Sequence, residues 1–227
     1  MKYLSELERK PWDSAAVLPS KMIAASGLLV LAIFGVPVIL QKFSSGHLSL
    51  PDILLFSALP GICAYGFFTP ETVPLRALKR SEILPLLGCG MALLLITGIV
   101  NILWKWLLTA LNLHFEAEQY AMKVIAGARG GDVVKLFFSL CIFAPLTEEL
   151  LFRRIIYSLL LKISWSMAVV MTALTFSLCH FFIAGIPGLL VLGLGFQFSY
   201  LKFRNLSAAV ILHAMVNSFA FWAALNK

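Results

Sequence analysis

Long apolar stretches separated by short polar connections dominate this sequence. Seven of them approach the roughly 20 residues that one helical membrane crossing needs. We therefore predict an all-α fold, a polytopic membrane bundle of about seven transmembrane helices. Six or eight crossings are alternatives, because the second and sixth stretches are short and the sixth could be re-entrant. The stretches are residues 22–41, 53–69, 83–104, 133–161, 164–184, 186–201 and 206–224.

Two polar segments frame the domain organisation. Residues 1–20 are polar or mixed, and we predict an N-terminal cytoplasmic or interfacial segment there, with Trp12 as an interfacial anchor. Residues 21–227 are predicted to form a single transmembrane domain. Its first stretch is expected to be a retained helix, because no cleavage-site pattern follows it closely. The polar stretch 112–132 is predicted to form an interfacial helix or cap on the outer side.

Composition supports the membrane assignment. Hydrophobic residues make up 60% of the chain and charged residues 13%, against about 45–50% and 25% in soluble domains, and the mean hydropathy is +0.93. The net charge of +7 could favour nucleic acid, but the basic residues form short clusters between apolar stretches. This pattern indicates topology in a lipid bilayer, and we predict no nucleic-acid partner.

The distribution of Lys and Arg predicts the orientation. With a cytoplasmic N-terminus, twelve basic residues face the cytoplasm and six face outward. The count becomes ten against six if Arg153 and Arg154 lie within a helix. Both counts favour an inside N-terminus and an outside C-terminus under the positive-inside rule.

Two adjacent acids lie inside the fourth apolar stretch. Arg153 follows Glu149 by four residues and so lies on its helix face, whereas Glu148 is rotated by about 100°. Charged side chains inside a membrane are costly and usually functional. An unpaired Glu148 in a low-dielectric pocket suits a general base. Pro145 is expected to kink or restart the helix just before the acids. The alternative is a buried ion network that only locks helices together.

Two further apolar stretches carry histidine. His180 follows Phe176 by four residues, and Asn217 follows His213 by the same spacing, so each pair shares a helix face. Taken together with the acids, these groups suit hydrolysis. His180 and Glu148 would hold and activate water, and His213 with Asn217 would donate hydrogen bonds to an oxyanion.

A metal site is the alternative chemistry. The four ligands would be Glu148, Glu149, His180 and His213, holding a divalent ion such as zinc that activates the water. The HExxH pattern of common zinc proteases does not occur.

These residues resemble a known family. In order along the chain, an EExxxR motif, an FxxxH motif and an HxxxN motif match the CAAX protease and bacteriocin-processing family of intramembrane endopeptidases. The match extends over about residues 133–220, which we take as the catalytic core. The three motifs are Glu148-Glu149-Leu150-Leu151-Phe152-Arg153, Phe176-Ser177-Leu178-Cys179-His180 and His213-Ala214-Met215-Val216-Asn217.

The resemblance implies a helical bundle whose site lies in a cavity and which works as a glutamate-type protease without a required cofactor. Glu148 then activates water with His180. Glu149 and Arg153 support the site, and His213 with Asn217 form the oxyanion hole. The implied catalytic set is Glu148, Glu149, Arg153, His180, His213 and Asn217, with Phe176 in a supporting position.

The function that follows is cleavage of a membrane-anchored protein or peptide. A short chain with few loops and no targeting sequence resembles bacterial members, so we expect a multi-pass protein of the bacterial inner membrane. Two other functions stay open. One is a proton-coupled transporter, although no inverted repeat is visible. The other is a non-catalytic binding or immunity protein on the same scaffold. The oligomeric state and the membrane face served stay open too.

The orientation can be tested by cysteine labelling. In a background without the native cysteines, Ser45→Cys and Ser81→Cys should react with an impermeant maleimide from opposite sides of sealed vesicles, because one apolar stretch separates them. Labelling of both positions from the same side would contradict the predicted topology.

Overall fold

The structure, a computed structural model, describes residues 19–31, 35, 49–64, 75–116 and 119–227. Every regular element in these ranges is a helix, which confirms the predicted all-α class. The predicted segment 1–20 lies almost entirely outside the described residues, as does Trp12. The helices are α1 (Pro19–Val30), α2 (Leu50–Ala64), α3 (Arg80–Ala110), α4 (Tyr120–Gly127), α5 (from Gly131 to Leu160), α6 (Trp165–Leu178), α7 (Ile186–Phe203) and α8 (Leu206–Leu225).

Each predicted apolar stretch overlaps one of these helices. Among the described residues, three helical segments are long and apolar enough to cross a membrane, namely α3, α8 and Ile183–Phe203, which is α7 with the 3₁₀ turn before it. That length favours a full crossing by α7 over a re-entrant segment. The helices α2 and α6 are apolar but shorter. The total of seven crossings stays a prediction.

Helix α5 changes its hydrogen-bond register four times without a break. It consists of α-helical and π-helical parts in alternation, namely Gly131–Phe137, Phe138–Phe143 (π), Ala144–Glu149, Leu150–Ile156 (π) and Tyr157–Leu160. Phe143 keeps helical dihedral angles, φ −75° and ψ −40°. The expected restart at Pro145 is therefore wrong. The proline, which lacks a donor, sits where the register returns from π to α.

Polar contacts between helix ends identify the two ends of the bundle. Arg76 donates to both carboxylate oxygens of Glu82, at 2.8 and 2.7 Å, and to the Phe203 carbonyl at 3.1 Å, which ties the start of α3 to the turn between α7 and α8. Hydrogen bonding to Glu82 raises the pKa of Arg76, so this pair stays ionised. We call this the basic end of the bundle.

The opposite end holds the starts of α2 and α5. Lys135 Nζ lies 2.7 Å from Asp52 Oδ1 and joins these two helices. The Trp104 indole donates to the Ile183 carbonyl at 3.4 Å, so the last turns of α3 reach the start of α7. We call this the α4 end. The predicted orientation places it outside.

Helix α4 folds back against the bundle at this end. Its Ile125 is buried with Leu136 of α5 and Phe221 of α8, whereas Tyr120 is 70% exposed. The helix predicted within 112–132 is thus present, and Gly130 with φ +56° makes the turn into α5. Its position relative to a membrane surface stays a prediction.

Helices α6 and α7 approach closely at a glycine. A Cβ atom placed on Gly193 would lie 3.1 Å from the Ala173 carbonyl oxygen and 3.2 Å from its Cα. Backbone cannot yield as the tip of a side chain can, so this position requires glycine. The contact also fixes the distance between the helix that carries Phe176 and the helix that carries Phe196.

We predict that Gly193→Leu destabilises the bundle, because overpacking against backbone costs about 1–3 kcal/mol or more. Gly98→Leu is the matched control, since a Cβ atom on Gly98 would meet nothing within 4 Å. Leu190→Ala should be mild. Melting temperatures in detergent give the comparison, and equal values for the Gly193 and Gly98 variants would contradict the close approach.

Candidate active site

A buried ion pair lies at the centre of the site. Arg153 Nε donates to Glu149 Oε2 at 2.7 Å, and Nη2 approaches Oε1 at 3.4 Å. Both side chains are 0% exposed. The spacing of four residues predicted this pair, and it forms although the chain between the partners is π-helical.

Glu149 has a second partner, which the sequence did not reveal. His213 Nδ1 lies 2.9 Å from Glu149 Oε1. Because a carboxylate can only accept, this contact places the proton on Nδ1. The other ring nitrogen, Nε2, points towards Glu148, whose Oε2 is 3.9 Å away. Glu149 thus joins the first motif to the third and orients the imidazole.

Aromatic rings enclose these charges. Phe196 stacks on His213 with ring centres 4.4 Å apart and an angle of 19° between planes. Phe176 meets the same imidazole edge-on at 5.7 Å, and its ring lies 5.4 Å from the Arg153 guanidinium carbon. Such rings exclude water and attract the cation. Phe196 was not predicted, although it follows Gly193 by three residues and so shares the face that packs against α6.

Glu148 occupies a different environment from its neighbour. Its side chain is 19% exposed, and the described residues offer no hydrogen-bond partner to its buried Oε2. Arg153 is bound to Glu149, as the spacing predicted. Glu148 therefore presents a carboxylate oxygen that is shielded from bulk solvent and able to accept a proton.

His180 lies in the turn beyond α6. The sequence placed it on a helix, but α6 ends at Leu178, and the imidazole packs against the Phe176 ring with ring centres 4.7 Å apart. His180 Nδ1 lies 2.8 Å from the Phe176 carbonyl oxygen. Since that carbonyl can only accept, Nδ1 carries the proton and Nε2 is left as an acceptor.

Asn217 lies one turn beyond His213 on α8. Its Nδ2 donates to the Leu140 carbonyl at 2.8 Å, which fixes the amide against the π-helical part of α5. An amide nitrogen carries two hydrogens, so one remains for another acceptor after this bond. A π turn can leave a carbonyl without its usual helical partner, and Asn217 satisfies one here.

The four side chains surround one cavity of about 210 Å³. Glu148, His180, His213 and Asn217 line it, and α4 closes it with Met122 and Ile125. The structure therefore brings together the residues predicted from three separate motifs. Their roles in a reaction stay predictions.

The alternative metal site is not assembled. Within the described residues, no group of three or more His, Cys, Asp or Glu side chains is arranged to hold a metal ion. Glu149, one of the four predicted ligands, already binds Arg153 and His213. These four side chains, as they are arranged, therefore do not fit the predicted four-ligand metal site.

The fold and the site define the class of this protein: it is an integral membrane protein with an acid–base site buried among apolar helices. A family model described as Type II CAAX prenyl endopeptidase Rce1-like matches residues 131–219. This segment carries all three motifs, so over residues 131–219 the chain is similar to the CAAX protease family, in agreement with the resemblance found in the sequence. Intramembrane proteolysis is the general activity of that family. Comparisons with curated proteins and with solved structures give no match.

The buried pair can be tested by a double-mutant cycle. Arg153→Met leaves Glu149 as an uncompensated buried charge and should cost about 3–5 kcal/mol, whereas adding Glu149→Gln should recover part of that loss. The partly exposed pair Arg76 and Glu82 is the control, where solvent screening should keep the coupling below about 1 kcal/mol. Zero coupling between Glu149 and Arg153 in unfolding measurements would reject the pairing.

Proposed function

We propose that this protein hydrolyses a peptide bond of a membrane-anchored protein or peptide, with Glu148 as the general base and no required metal. One observation carries the proposal. Two adjacent glutamates occupy opposite environments, since Glu149 is neutralised by Arg153, whereas Glu148 Oε2 is buried beside a cavity without a hydrogen-bond partner among the described residues. Such a difference between neighbouring acids separates a structural role from a chemical one.

Water activation would use Glu148 and His180 together. Both residues line the cavity, and the bond from His180 Nδ1 to the Phe176 carbonyl leaves Nε2 as an acceptor. A water molecule between them would give one hydrogen bond to the carboxylate and one to the imidazole. As its oxygen attacks the substrate carbonyl, one proton passes to Glu148, which later delivers it to the leaving amine.

The oxyanion would be bound by His213 and Asn217. His213 Nδ1 donates to Glu149, so Nε2 can donate as well only if the ring is an imidazolium ion. Asn217 offers its second amide hydrogen from the next turn of α8. Fixed donors of this kind stabilise the charge that develops in the transition state.

The charges support this assignment. Two glutamates and Arg153 alone would leave one net negative charge in an apolar cavity, which is costly. An imidazolium at His213, which contacts Glu149 at 2.9 Å and faces Glu148 at 3.9 Å, brings the sum to zero. An imidazolium at His213 would supply a charged donor to the oxyanion while Glu148 acts as the base.

We expect Glu148→Gln to lower turnover by about 10²–10⁴, because the amide keeps the shape but cannot take a proton. His180→Ala should lose activity to a similar extent, and Asn217→Ala about 10²–10³ through weaker oxyanion binding. The assay is cleavage of a panel of membrane-anchored peptides by purified protein in proteoliposomes. Unchanged melting temperatures would show that folding is intact.

The same assay decides the part played by a metal. Protein shown to be metal-free by elemental analysis should retain its turnover. Activity that is lost on stripping and restored only by added zinc would overturn the assignment of Glu148 as an unassisted base.

A further inference from the structure

A second cavity lies at the α4 end, next to the cavity lined by Glu148, His180, His213 and Asn217. Its volume is about 570 Å³, a size typical of ligand-binding pockets. We call it the outer cavity. Four residues line both cavities and so form the neck between them. Glu148 belongs to α5 and His180 to the turn after α6, whereas Gln119 and Ala121 belong to the α4 segment.

The outer cavity suits an unfolded peptide with large apolar side chains. Beside the neck residues, its lining is mostly aromatic and aliphatic, and Glu116 is the acid there. The other lining residues are Leu54, Tyr120, Phe152, Cys179, Phe181 and Phe182. Aromatic side chains bind apolar groups over a large area.

Phe181 shows that the structure is strained at this place. It has φ +49°, an unusual conformation for a bulky residue, and its side chain is 83% exposed. Such strained conformations cluster at binding and catalytic sites. Phe181 directly follows His180, so the same turn holds the imidazole at the neck and an aromatic ring at the entrance.

We propose that the substrate peptide reaches Glu148 from the α4 end, through the neck that Gln119 and Ala121 complete, and that these two residues select and position it. The proposal rests on the proposed function. Ala121 leaves the passage open because its side chain is a single methyl group, so added bulk at this position would narrow the passage. The Gln119 amide can both donate to and accept from the peptide backbone beside the scissile bond.

A lateral route is the competing path. An apolar groove between α3 and α8, of about 480 Å³, is lined by Gly90, Met91, Ile211 and Met215, and it shares Val216 with the catalytic cavity. This groove offers almost no polar group to a peptide backbone. The neck offers Gln119 next to both residues that would activate water, so we place the substrate there.

Three single-cysteine variants compare the two routes. In a background without the four native cysteines, Ala121→Cys reports on the neck and Ile211→Cys on the groove. Gly127→Cys is the matched control on α4, where an added Cβ would meet nothing within 4 Å. Each protein is alkylated with a maleimide after folding, so that bulk is added without a folding defect.

Alkylation of Ala121→Cys should lower kcat/KM for the peptides by about 10²-fold or more, since small misplacements of a substrate have effects of that size. Gln119→Ala should raise KM more than it lowers kcat. Alkylated Gly127→Cys and Ile211→Cys should cleave as before. Loss of cleavage in the Ile211 variant with normal cleavage in the Ala121 variant would overturn the neck route in favour of the groove.

Accessibility is measured independently of cleavage. In sealed vesicles, an impermeant maleimide should label Ala121→Cys from the same side as Gly127→Cys. An unreactive Ala121→Cys would overturn the proposal, because the neck would then be closed. Labelling in a protein that cleaves none of the peptides would support an open neck while overturning the proposed function, so the two failures are distinguishable.

Discussion

The structure of the site depends on one fully buried carboxylate. Glu149 accepts from Arg153 on its own helix and contacts His213 on α8, so a single residue joins two helices and orients the imidazole. Burying three ionisable groups is expensive, and it is tolerable here because each has a partner and aromatic rings exclude water around them. With Glu149 satisfied in this way, Glu148 is left as the acid that faces the cavity.

The irregular hydrogen bonding of α5 allows the two adjacent glutamates to occupy different environments. A regular helix through Pro145 would need a break or a kink, and a fresh helix start would have offered free N–H groups to both acids alike. Instead, π-helical parts on either side of Pro145 let the helix continue without a break. The Leu140 carbonyl in the first of these parts accepts a hydrogen bond from Asn217. The π-helical parts of α5 thus lie next to the predicted site residues, and π-bulges are frequent at functional sites.

The sequence predicted those parts of the fold and site that depend on local spacing. The apolar stretches gave the helices, and spacings of four residues gave the pair of Glu149 and Arg153 and the shared face of His213 and Asn217. Contacts between distant segments were not predictable, because no period relates residues on different helices. The bond between His213 and Glu149, the stacking of Phe196 and the closure of the cavity by α4 are of this kind. The position of His180 in a turn was missed because an apolar stretch does not show where its helix ends.

The matched family segment and the rest of the chain contribute different things to the site. Every residue assigned to bond cleavage lies within residues 131–219, whereas Gln119 and Ala121 at the neck lie before that segment. A change in α4 can therefore alter which peptides enter without touching the base, the oxyanion donors or the ion pair that orients them. The helix is also well placed for this: it is packed at Ile125 against α5 and α8, while Gln119 at its start is partly exposed. Chemistry and selection are thus carried by separate parts of the chain that meet at Glu148.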